Sequence, residues 1–515
     1  MKIGMAQIEI AAGQPDINAA KILDFIEQAK NQNCKAVIFP SGAISGTYFN
    51  ESAAFLRECE EYIQEIKAKN FSNIIVFGNG TLNAIEDNLE IQVRNDVDSF
   101  ALELIPVREN FYSELAAKNN RPLIFVNAVG VQNNGKTIST YDGNSAVYNS
   151  RGEMVKRLPA FTETLAVIDT AEIEKLPPIE IDEDKTVAQI YRALNYGVKK
   201  FLKQIHMSKI VIGISGGIDS AVAAALYTKI LGAENVYLVN MPSVFNSATT
   251  RNLSEQLAKN LGCKYSVITI QNSVDSTVRQ LELSPVTFLT DNSTEQIKIS
   301  SFVRENLQAR DRSGRILATL AAAVGGGFTC NANKAESTIG YATMYGDCAG
   351  VLAATADLWK FQVYELANYL NEKIYGREVI PQGIIDIVPS AELSDAQNVD
   401  EGKGDPLHYD YHDYLFRAFV EKNLTPEDIL SFYIEKNLEA KIGCRAGLVE
   451  KYFSTAEEFT ADLEKWWKQF QGIAVAKRIQ APPLIAVSQR PFGSFAESQN
   501  IPHFTKKYFN LKKNL

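Results

Sequence analysis

The chain has 515 residues, of which 46% are hydrophobic and 22% charged, and its formal net charge is −9. This length predicts two or three domains, and the negative charge argues against non-specific nucleic-acid binding. Six cysteines without CxxC spacing argue against a zinc ribbon or a disulfide framework and fit a reducing compartment. Neither a signal-peptide pattern nor an apolar run of about 18 residues is present, so we expect a cytoplasmic protein outside the membrane.

The first third of the chain alternates between strand-like and helix-like segments. Strands are predicted over Lys2–Ile10, Lys35–Phe39, Asn73–Asn79, Leu123–Gly130 and Gly143–Asn149, and helices over Asn18–Lys30 and residues 51–69. Because strands that alternate with helices pack in layers, this region is predicted to have an α/β fold.

Four motifs in this order, MAQI, VIFP, FVNAVG and DGNSAVYNSRGEMV, resemble the nitrilase-type glutaminase domain, an α-β-β-α sandwich. The resemblance implies a Cys nucleophile, a Glu base and a Lys that stabilises the oxyanion. Here Ser41 follows the FP dipeptide where that family has glutamate, and the chain has no cysteine between residues 60 and 262 and no lysine in 81–100. We interpret the strand that carries the nucleophile as deleted before Leu123.

Cys34 and Cys59 lie on other elements and are interpreted as packed or surface thiols. Residues 1–170 are therefore predicted to form a degenerate glutaminase domain, kept for structure, assembly or docking. A remodelled pocket near Ser41 that binds a ligand other than glutamine is the alternative. The acidic stretch EIEKLPPIEIDEDK holds two prolines, so we predict a linker over 171–185 and a second domain over 186–515.

The second domain begins with a helix over Thr186–Gln204 and a β-branched strand over Lys209–Ile214, followed by SGGIDS at 215–220 and an Ala-rich helix. A strand, a glycine turn and a helix N-terminus form an anion site, because the free N–H groups and the helix dipole favour negative charge. Asp219 would repel phosphate, so we interpret it as a magnesium ligand. A plain strand–helix turn is the alternative.

SGGIDS lacks the lysine of GxxxxGK[ST] and resembles the phosphate loop of the ATP pyrophosphatase (adenine nucleotide α-hydrolase-like) family. Further strands over Asn235–Asn240 and Tyr265–Ile270 flank a helix over Ala248–Leu261, which predicts a doubly wound parallel sheet. Ligands of such sheets bind at the carboxyl ends of the strands.

Four charged residues further along are singled out from the sequence alone. Arg310 and Arg312 point to different faces of a predicted helix and are either solvated or functional. Glu336 begins a helix after a polar turn, where a carboxylate can face a metal. Lys360 is either a neighbour of a helix N-cap or a phosphate ligand. His408 and His412 have i,i+4 spacing, but their prolines and aspartates predict a polar loop rather than a metal site.

The ordered set of motifs in this region resembles NAD(+) synthetases, most closely the bacterial two-domain, glutamine-dependent branch, over about 186–510. These motifs are NLQARDR, NKAE, GYATMYGD, LWKFQVYELA, IVPSAEL, DEGKGDPLHYDYHDYL and KRIQAPP.

The resemblance implies a role for each matching residue. The predicted ATP-binding residues are Gly213, Ser215, Gly216, Gly217, Asp219, Ser220, Lys360 and Ser390. Asp219 and Glu336 are implied to bind Mg²⁺, and Arg310 to contact deamido-NAD. Lys477 and Arg478 are implied to lie on a loop that closes over the site.

Three positions depart from the single-domain relatives. Asn331 replaces a Thr at the ATP site, and Met344 and Gly350 replace a Lys and an Asp that bind deamido-NAD. The two-domain branch also has apolar or small residues at the latter two positions, so these are not interpreted as losses.

The implied reaction is the ATP-dependent amidation of deamido-NAD to NAD through an adenylate, with release of pyrophosphate and AMP. We expect free ammonia as the nitrogen source, or ammonia from a separate glutaminase that docks on this chain. A homodimer or a larger homo-oligomer is expected. The alternatives are another SGGxDS-type amidotransferase, a sulfur-transferring RNA-modifying enzyme and an inactive scaffold. Paired cysteines and a basic face, expected of the second, are absent from the sequence.

Overall fold

The computed structural model describes residues 1–49, 51–69, 74–77, 79–84, 89–96, 98–179 and 186–515. These residues form two compact units, Met1–Phe201 with Ala486–Gln489, and Leu202–Ile485 with Arg490–Leu515. Positions 73 and 78 of a predicted strand and positions 180–185 of the predicted linker lie outside the described residues. The domain limits at 170 and 186 stay a prediction.

Among its described residues, the first unit contains eleven strands, three whole α-helices and most of a fourth. The strands are β1 Lys2–Gln7, β2 Ala36–Ile38, β3 Ile74–Val76, β4 Gly80–Ala84, β5 Leu89–Arg94, β6 Leu123–Phe125, β7 Val129–Asn133, β8 Thr137–Asp142, β9 Ala146–Tyr148, β10 Met154–Arg157 and β11 Thr164–Asp169; the helices are α1 Pro15–Asn31, α2 Ala53–Ala68, α3 Ile105–Asn119 and α4 Thr186–Gln204. Two sheets run in the orders β11-β1-β2-β3 and β10-β9-β6-β5-β4.

Alternation along the strands places the two sheets between helices. Ile3 and Met5 of β1 share a core with Ile91 and Val93 of β5, so the sheets pack face to face. Ala6 of the same β1 packs with side chains of α1, and Tyr112 and Ala116 of α3 pack on the outer side of β6. This is the predicted α-β-β-α sandwich.

The structure has a strand, β5, that the sequence interpretation did not predict. β5 pairs in parallel with β6, with Gln92 opposite Leu123, and is followed by α3. The alternation of apolar and polar residues in its LEIQVR segment is a strand signal that the interpretation overlooked. The deletion of the strand that carries the nucleophile stays a prediction.

A buried ion pair stabilises the first unit. The Arg108 guanidinium donates two hydrogen bonds to Asp142, at 3.1 and 2.9 Å, and the Asp142 side chain is 1% exposed. Burial opposes the charge of Arg108, but Asp142 more than compensates and raises the pKa of Arg108 above its usual range.

We expect Arg108→Ala to lower the free energy of unfolding by roughly 3–5 kcal/mol, because Asp142 would stay buried without its cation. The matched control is Arg121→Ala, whose partner Glu90 lies 2.6 Å away on the surface and whose loss should cost less than about 1 kcal/mol. All three tryptophans, Trp359, Trp466 and Trp467, belong to the second unit, so urea denaturation of the first is followed by circular dichroism. Equal losses in both variants would contradict the prediction.

The second unit is built on a parallel sheet of order β14-β13-β12-β17. The strands of the whole unit are β12 Ile210–Gly213, β13 Val236–Asn240, β14 Lys264–Val267, β15 Val286–Thr287, β16 Thr294–Glu295, β17 Gly327–Phe328 and β18 Leu484–Ile485. Helices α5 Ile218–Leu231 and α6 Ala248–Leu261 contact the sheet. Val211 and Val239 share a core with residues of α7 Gln271–Leu283 and of a π-helical segment, Asp311–Leu317. The predicted doubly wound sheet is confirmed.

The remaining helices of this unit are α8 Ser301–Arg310, α9 Ala318–Val324, α10 Lys334–Ile339, α11 Lys360–Tyr369, α12 Gln382–Asp386, α13 Tyr409–Val420, α14 Pro426–Ile434, α15 Leu438–Ile442, α16 Leu448–Tyr452, α17 Ala456–Gln471, α18 Ile473–Gln480 and α19 Lys506–Lys512. No helix of the described residues is long and apolar enough to cross a bilayer.

The predicted polar loop at His408 and His412 is wrong. His408 precedes α13, and His412 lies within it with no exposed surface. His412 lies 3.1 Å from Asp462, and its Nδ1 accepts the backbone N–H of His408. The segment forms a helix in spite of its aspartates, because Tyr411, Leu415 and Phe416 form a continuous buried face.

Candidate nucleotide-binding site

The phosphate loop lies between β12 and α5 and has the geometry that the sequence predicts. Gly216 has φ +89°, and a Cβ there would lie 2.3 Å from the Thr250 carbonyl oxygen, so only glycine fits. The two serine hydroxyls stabilise the loop itself: Ser220 Oγ donates to Gly217 O at 3.0 Å, and Gly217 N–H donates to Ser215 Oγ at 3.2 Å. The N-terminus of α5, directly after this loop, still favours an anion through its dipole.

Three of the predicted site residues meet beside this loop. The Lys360 ammonium lies 2.5 Å from Asp219 Oδ2 and 3.7 Å from Glu336 Oε1, and the lysine is 3% exposed. Burial opposes the charge of Lys360, but Asp219 and Glu336 raise its pKa above the usual range, so it stays protonated. Burial and the nearby Asp219 raise the pKa of Glu336. Residues 117 and 141 positions apart are thus one charge cluster.

The sequence did not single out Asn333, which connects Glu336 to the phosphate loop. Its side chain accepts the Glu336 N–H at 3.0 Å, while the Glu336 carboxylate accepts the Asn333 N–H at 3.3 Å, a capping box at the start of α10. The Asn333 amide also donates to Asp219 Oδ1 at 3.0 Å. The N-K-A-E spacing was a signal for this cap.

The donor set of this cluster suits a divalent cation. Asp219 and Glu336 provide carboxylate oxygens, the ligand type that Mg²⁺ prefers, and their mutual repulsion would be relieved by positive charge. Among the described residues no group of three or more His, Cys, Asp or Glu side chains is arranged as a complete metal cage. Two carboxylates are a number that Mg²⁺ commonly binds, together with water and phosphate oxygens.

A second buried lysine supports the first. Lys334, with no exposed surface, lies 2.9 Å from Asp357 and 3.1 Å from Glu421. The backbone N–H of Lys334 donates to Leu358 O at 2.7 Å. These bonds connect the start of α10, which carries Glu336, to the segment that precedes Lys360. The distance between the Glu336 carboxylate and the Lys360 ammonium is therefore set by a buried network rather than by a flexible loop.

A cavity of about 250 Å³ opens from the phosphate loop. Arg312 lines it, although the sequence left this residue open between surface and function. Its Nε donates to Met241 O at 3.1 Å and its Nη2 to Asn246 Oδ1 at 3.2 Å. Burial lowers the pKa of Arg312 to about 10. The π-helical segment that carries Arg312 is a distortion often found at functional sites.

The structure places the other predicted residues unevenly. Ser390 lines a smaller cavity with Asp219 and Lys360, but its hydroxyl donates to Gln397 O at 2.6 Å. Arg310 is exposed on α8 and donates to Met344 O. Lys477 and Arg478 lie on helix α18, so their predicted location on a loop is wrong.

The bonds of Lys477 and Arg478 fix α18 to α10. Lys477 Nζ donates to Gly340 O at 2.7 Å. Arg478, 4% exposed, donates to Glu497 at 2.6 Å and to the carbonyl of Thr338 at 2.7 Å. The apolar residues Ala474 and Val475 give this segment a buried helical face, a feature that the basic KR pair concealed.

Two of the three departures from single-domain relatives have local causes. Asn331 lines the cavity and donates to Gly213 O at 3.2 Å. Gly350 has φ +144°, and a Cβ there would lie 2.8 Å from Cys330 N, so no aspartate fits at this position. Met344 contacts Arg310 only through its backbone carbonyl, and nothing in the structure explains methionine there.

In the first unit, Ser41 follows β2 and lies beside the residue that comes after β5. Its N–H donates to Asn95 O at 2.7 Å, and the buried Asn95 amide donates to Phe39 O at 2.8 Å. Cys34 and Cys59 are buried, and burial raises the pKa of both thiols, the opposite of what a thiolate nucleophile requires.

Over residues 190–446 the chain matches the family described as NAD synthase. A glutamine-dependent NAD(+) synthetase of Synechocystis sp. is 33% identical over 428 residues, which cover 81% of this chain and 67% of that protein. This chain belongs to the NAD synthase family. The family predicted from the motifs is confirmed.

Two solved structures show the same fold along the chain. A glutamine-dependent NAD(+) synthetase from Cytophaga hutchinsonii has a TM-score of 0.76 at 16% identity and covers 100% of this chain and 99% of its own. The enzyme from Acinetobacter baumannii, in complex with ADP, has a TM-score of 0.64 at 22% identity, with coverage of 97% and 98%. The predicted fold class, a nitrilase-like sandwich followed by an NAD synthase domain, is confirmed.

We expect Gly216→Ala to weaken ATP binding at least tenfold and to destabilise the NAD synthase domain, because the added Cβ displaces either the loop or Thr250. Gly262→Ala is the control, since Gly262 also has a positive φ, +71°, but nothing within 4 Å of an added Cβ. That change should cost about 1–2 kcal/mol and leave ATP affinity unaltered. Calorimetric titration with ATP and urea denaturation measure both; equal effects of the two substitutions would contradict the role of close packing.

Asp413 predicts a pH dependence of stability. Burial raises the pKa of Asp413 from 3.8 to about 7. The hydrogen bond that Asp413 accepts from the Phe361 N–H, at 2.9 Å, lowers this pKa but does not offset the effect of burial. The folded state therefore binds the proton more tightly, and this contribution to stability is lost as pH rises through about 7.

Asp413→Asn keeps an acceptor for Phe361 and removes the titration. The free energy of unfolding of the variant minus that of the wild type should rise by up to about 4 kcal/mol between pH 4 and pH 8. Urea denaturation followed by tryptophan fluorescence reports this unit. A difference that does not change with pH would show that Asp413 is not buried as a neutral acid.

Proposed function

We propose that this NAD synthase family member amidates deamido-NAD to NAD, consuming ATP through an adenylate and using free ammonia. The observation that carries the proposal is the convergence of Asp219, Glu336 and Lys360 beside the phosphate loop. A cavity lined by that loop and by Arg312 adds space for a nucleotide. The relatives support the reaction class; the nitrogen source is our own inference.

The residues of this chain act mainly by position and charge. The loop N–H groups and the α5 dipole hold the triphosphate. Lys360, kept protonated by two carboxylates, faces the negative charge that develops on departing pyrophosphate. Asp219 and Glu336 would hold Mg²⁺, which supplies charge neutralisation at the phosphates when bound. The nicotinate carboxylate attacks the α-phosphorus, and ammonia then displaces AMP from the adenylate.

The first unit supports ammonia rather than glutamine. Ser41 cannot act as the base that a glutamate provides, because an alcohol has a pKa far above neutrality. Strand β5, which precedes α3, carries no thiol, and the two cysteines of this unit are buried. Hydrolysis of glutamine needs a nucleophile and a base together, so the first unit is proposed to serve structure, assembly or docking. Homo-oligomer formation stays a prediction.

The test is NAD formation by the purified chain from deamido-NAD, ATP and Mg²⁺, with ammonium or glutamine as the nitrogen source. We expect NAD, AMP and pyrophosphate with ammonium, and no NAD with glutamine. Lys360→Met is expected to lower the ammonium-supported rate about a hundredfold or more.

The double variant Cys34→Ser, Cys59→Ser should behave like the wild type. NAD formed from glutamine in the presence of an ammonia-scavenging enzyme would contradict the ammonia proposal and indicate an unrecognised nucleophile. NAD formed from glutamine only after addition of a separate glutaminase would support supply by a partner. No product under any condition would contradict the synthetase proposal.

A further inference from the structure

The first unit contains a cavity that the proposed reaction does not use. Its volume is about 620 Å³, which lies within the usual range for small-molecule sites. Pro106 and Thr186, which line it, are exposed, so the cavity is reached from solvent. Among the described residues, the charged side chains that line it are Arg157, Arg192 and Glu109. Two cations and one carboxylate favour a ligand with a single negative charge.

Arg157 keeps hydrogen-bond donors for such a ligand. It is the last residue of β10, and its side chain is 23% exposed. Its Nε donates to Asn144 Oδ1 at 3.1 Å, and its Nη2 lies 3.0 Å from Glu109 Oε1. A guanidinium has five N–H donors, so these two contacts leave donors for a ligand. The planar group matches a carboxylate, to which it can donate two parallel hydrogen bonds.

The position of Arg157 is set by the buried ion pair of this unit. Asn144 Nδ2 donates to Asp142 Oδ2 at 2.6 Å, and Asp142 accepts both hydrogen bonds of Arg108. The Arg157 guanidinium is therefore connected through Asn144 to a carboxylate that is itself fixed in the core. A side chain that is already ordered loses little conformational entropy on binding, which favours recognition of a small ligand.

Aromatic rings form another part of the cavity wall. Phe100 and Phe161 line it with ring centroids 6.1 Å apart, and the Tyr196 ring lies 4.9 Å from that of Phe161. Phe161 has φ +54°, a left-handed conformation that is rare for a bulky residue. Its N–H donates to Asp142 O at 2.8 Å, which holds this backbone in place. Such strain is concentrated at functional sites, and here it places a ring in the wall of the cavity.

We propose that this cavity binds a small aromatic monocarboxylate, with its carboxylate on Arg157 and its ring against Phe161. Ile105 and Leu158 add apolar surface to the wall. A phosphorylated ligand suits the cavity less, because Glu109 would repel its additional negative charge. The inference does not rest on the proposed function, since it concerns the first unit and involves neither ATP nor deamido-NAD.

The test is ligand-observed NMR, by saturation transfer, on the full chain without ATP or deamido-NAD. The probes are benzoate, benzamide, acetate and L-glutamine. Benzamide has the ring without the charge, and acetate has the charge without the ring. We expect benzoate to bind at least about tenfold more tightly than either, because only benzoate makes both the charge-assisted hydrogen bonds and the ring contact.

Arg157→Gln keeps hydrogen-bond donors and removes the charge, so the affinity for benzoate should fall to that for benzamide. Arg151→Gln is the matched control and should leave benzoate binding unaltered, because Arg151 pairs with Glu153 and Glu174 at the surface. Phe161→Leu removes the ring and should weaken benzoate about fivefold without affecting acetate. It replaces Arg157→Gln if circular dichroism shows that the latter does not fold.

Three results would overturn the inference. The first is absence of benzoate binding, or equal affinities for benzoate and benzamide. The second is a preference for benzoate that survives in Arg157→Gln, because the benzoate would then bind elsewhere on the chain. The third is tighter binding of L-glutamine than of benzoate that is lost in Arg157→Gln, which would show that the cavity takes an amino-acid amide. All three leave the proposed function standing, since NAD formation tests it separately.

Discussion

The buried ammonium of Lys360 between Asp219 and Glu336 is the interaction on which the NAD synthase domain depends. A lysine at 3% exposure would lose its charge without paired carboxylates. The carboxylates in turn would not stay ionised side by side without positive charge. The three groups come from the N-terminus of α5, the start of α10 and the start of α11. Because each of these charged groups is stabilised by the opposite charge beside it, the three helix termini are held close together.

The second cluster behind this point explains how the arrangement keeps its shape. Lys334, Asp357 and Glu421 are buried together and connect the segments that carry Glu336 and Lys360. A buried network of this kind is a poor source of net stability but a strong constraint on geometry, because removing one member leaves an unpaired charge. Mobility is thus reduced where the chemistry needs fixed distances.

The first unit separates the requirements of a fold from those of a reaction. Its two sheets and flanking helices follow from alternating apolar residues such as Ile3, Met5, Ile91 and Val93, and these persist. The resemblance implies three further side chains for amidase chemistry, and Ser41 stands where one of them is expected. The core and such a site draw on different residues, so this fold does not require the reaction.

Much of this protein was determined by local sequence alone. The phosphate loop and the parallel sheet follow from short patterns in which strand, turn and helix preferences agree. Asp219, Glu336 and Lys360 were also found, because their motifs are short and ordered. Helix α13 was missed because its histidines and aspartates suggested a polar loop, whereas its buried apolar face forms only after folding. Strand β5 was missed although its LEIQVR segment alternates apolar and polar residues as a half-buried strand does.

The tertiary structure decided which side chains have partners. Arg312 and Asn333 form hydrogen bonds to residues far away in the chain. Arg478, predicted on a loop that closes over the site, lies on a helix and donates to Glu497 and to the Thr338 carbonyl. The amide of Asn240 likewise donates to Ile214 O and Ser254 Oγ, both from other elements of the fold. Hydrogen bonds and desolvation are set by three-dimensional neighbours, so no reading of spacing along the sequence determines them.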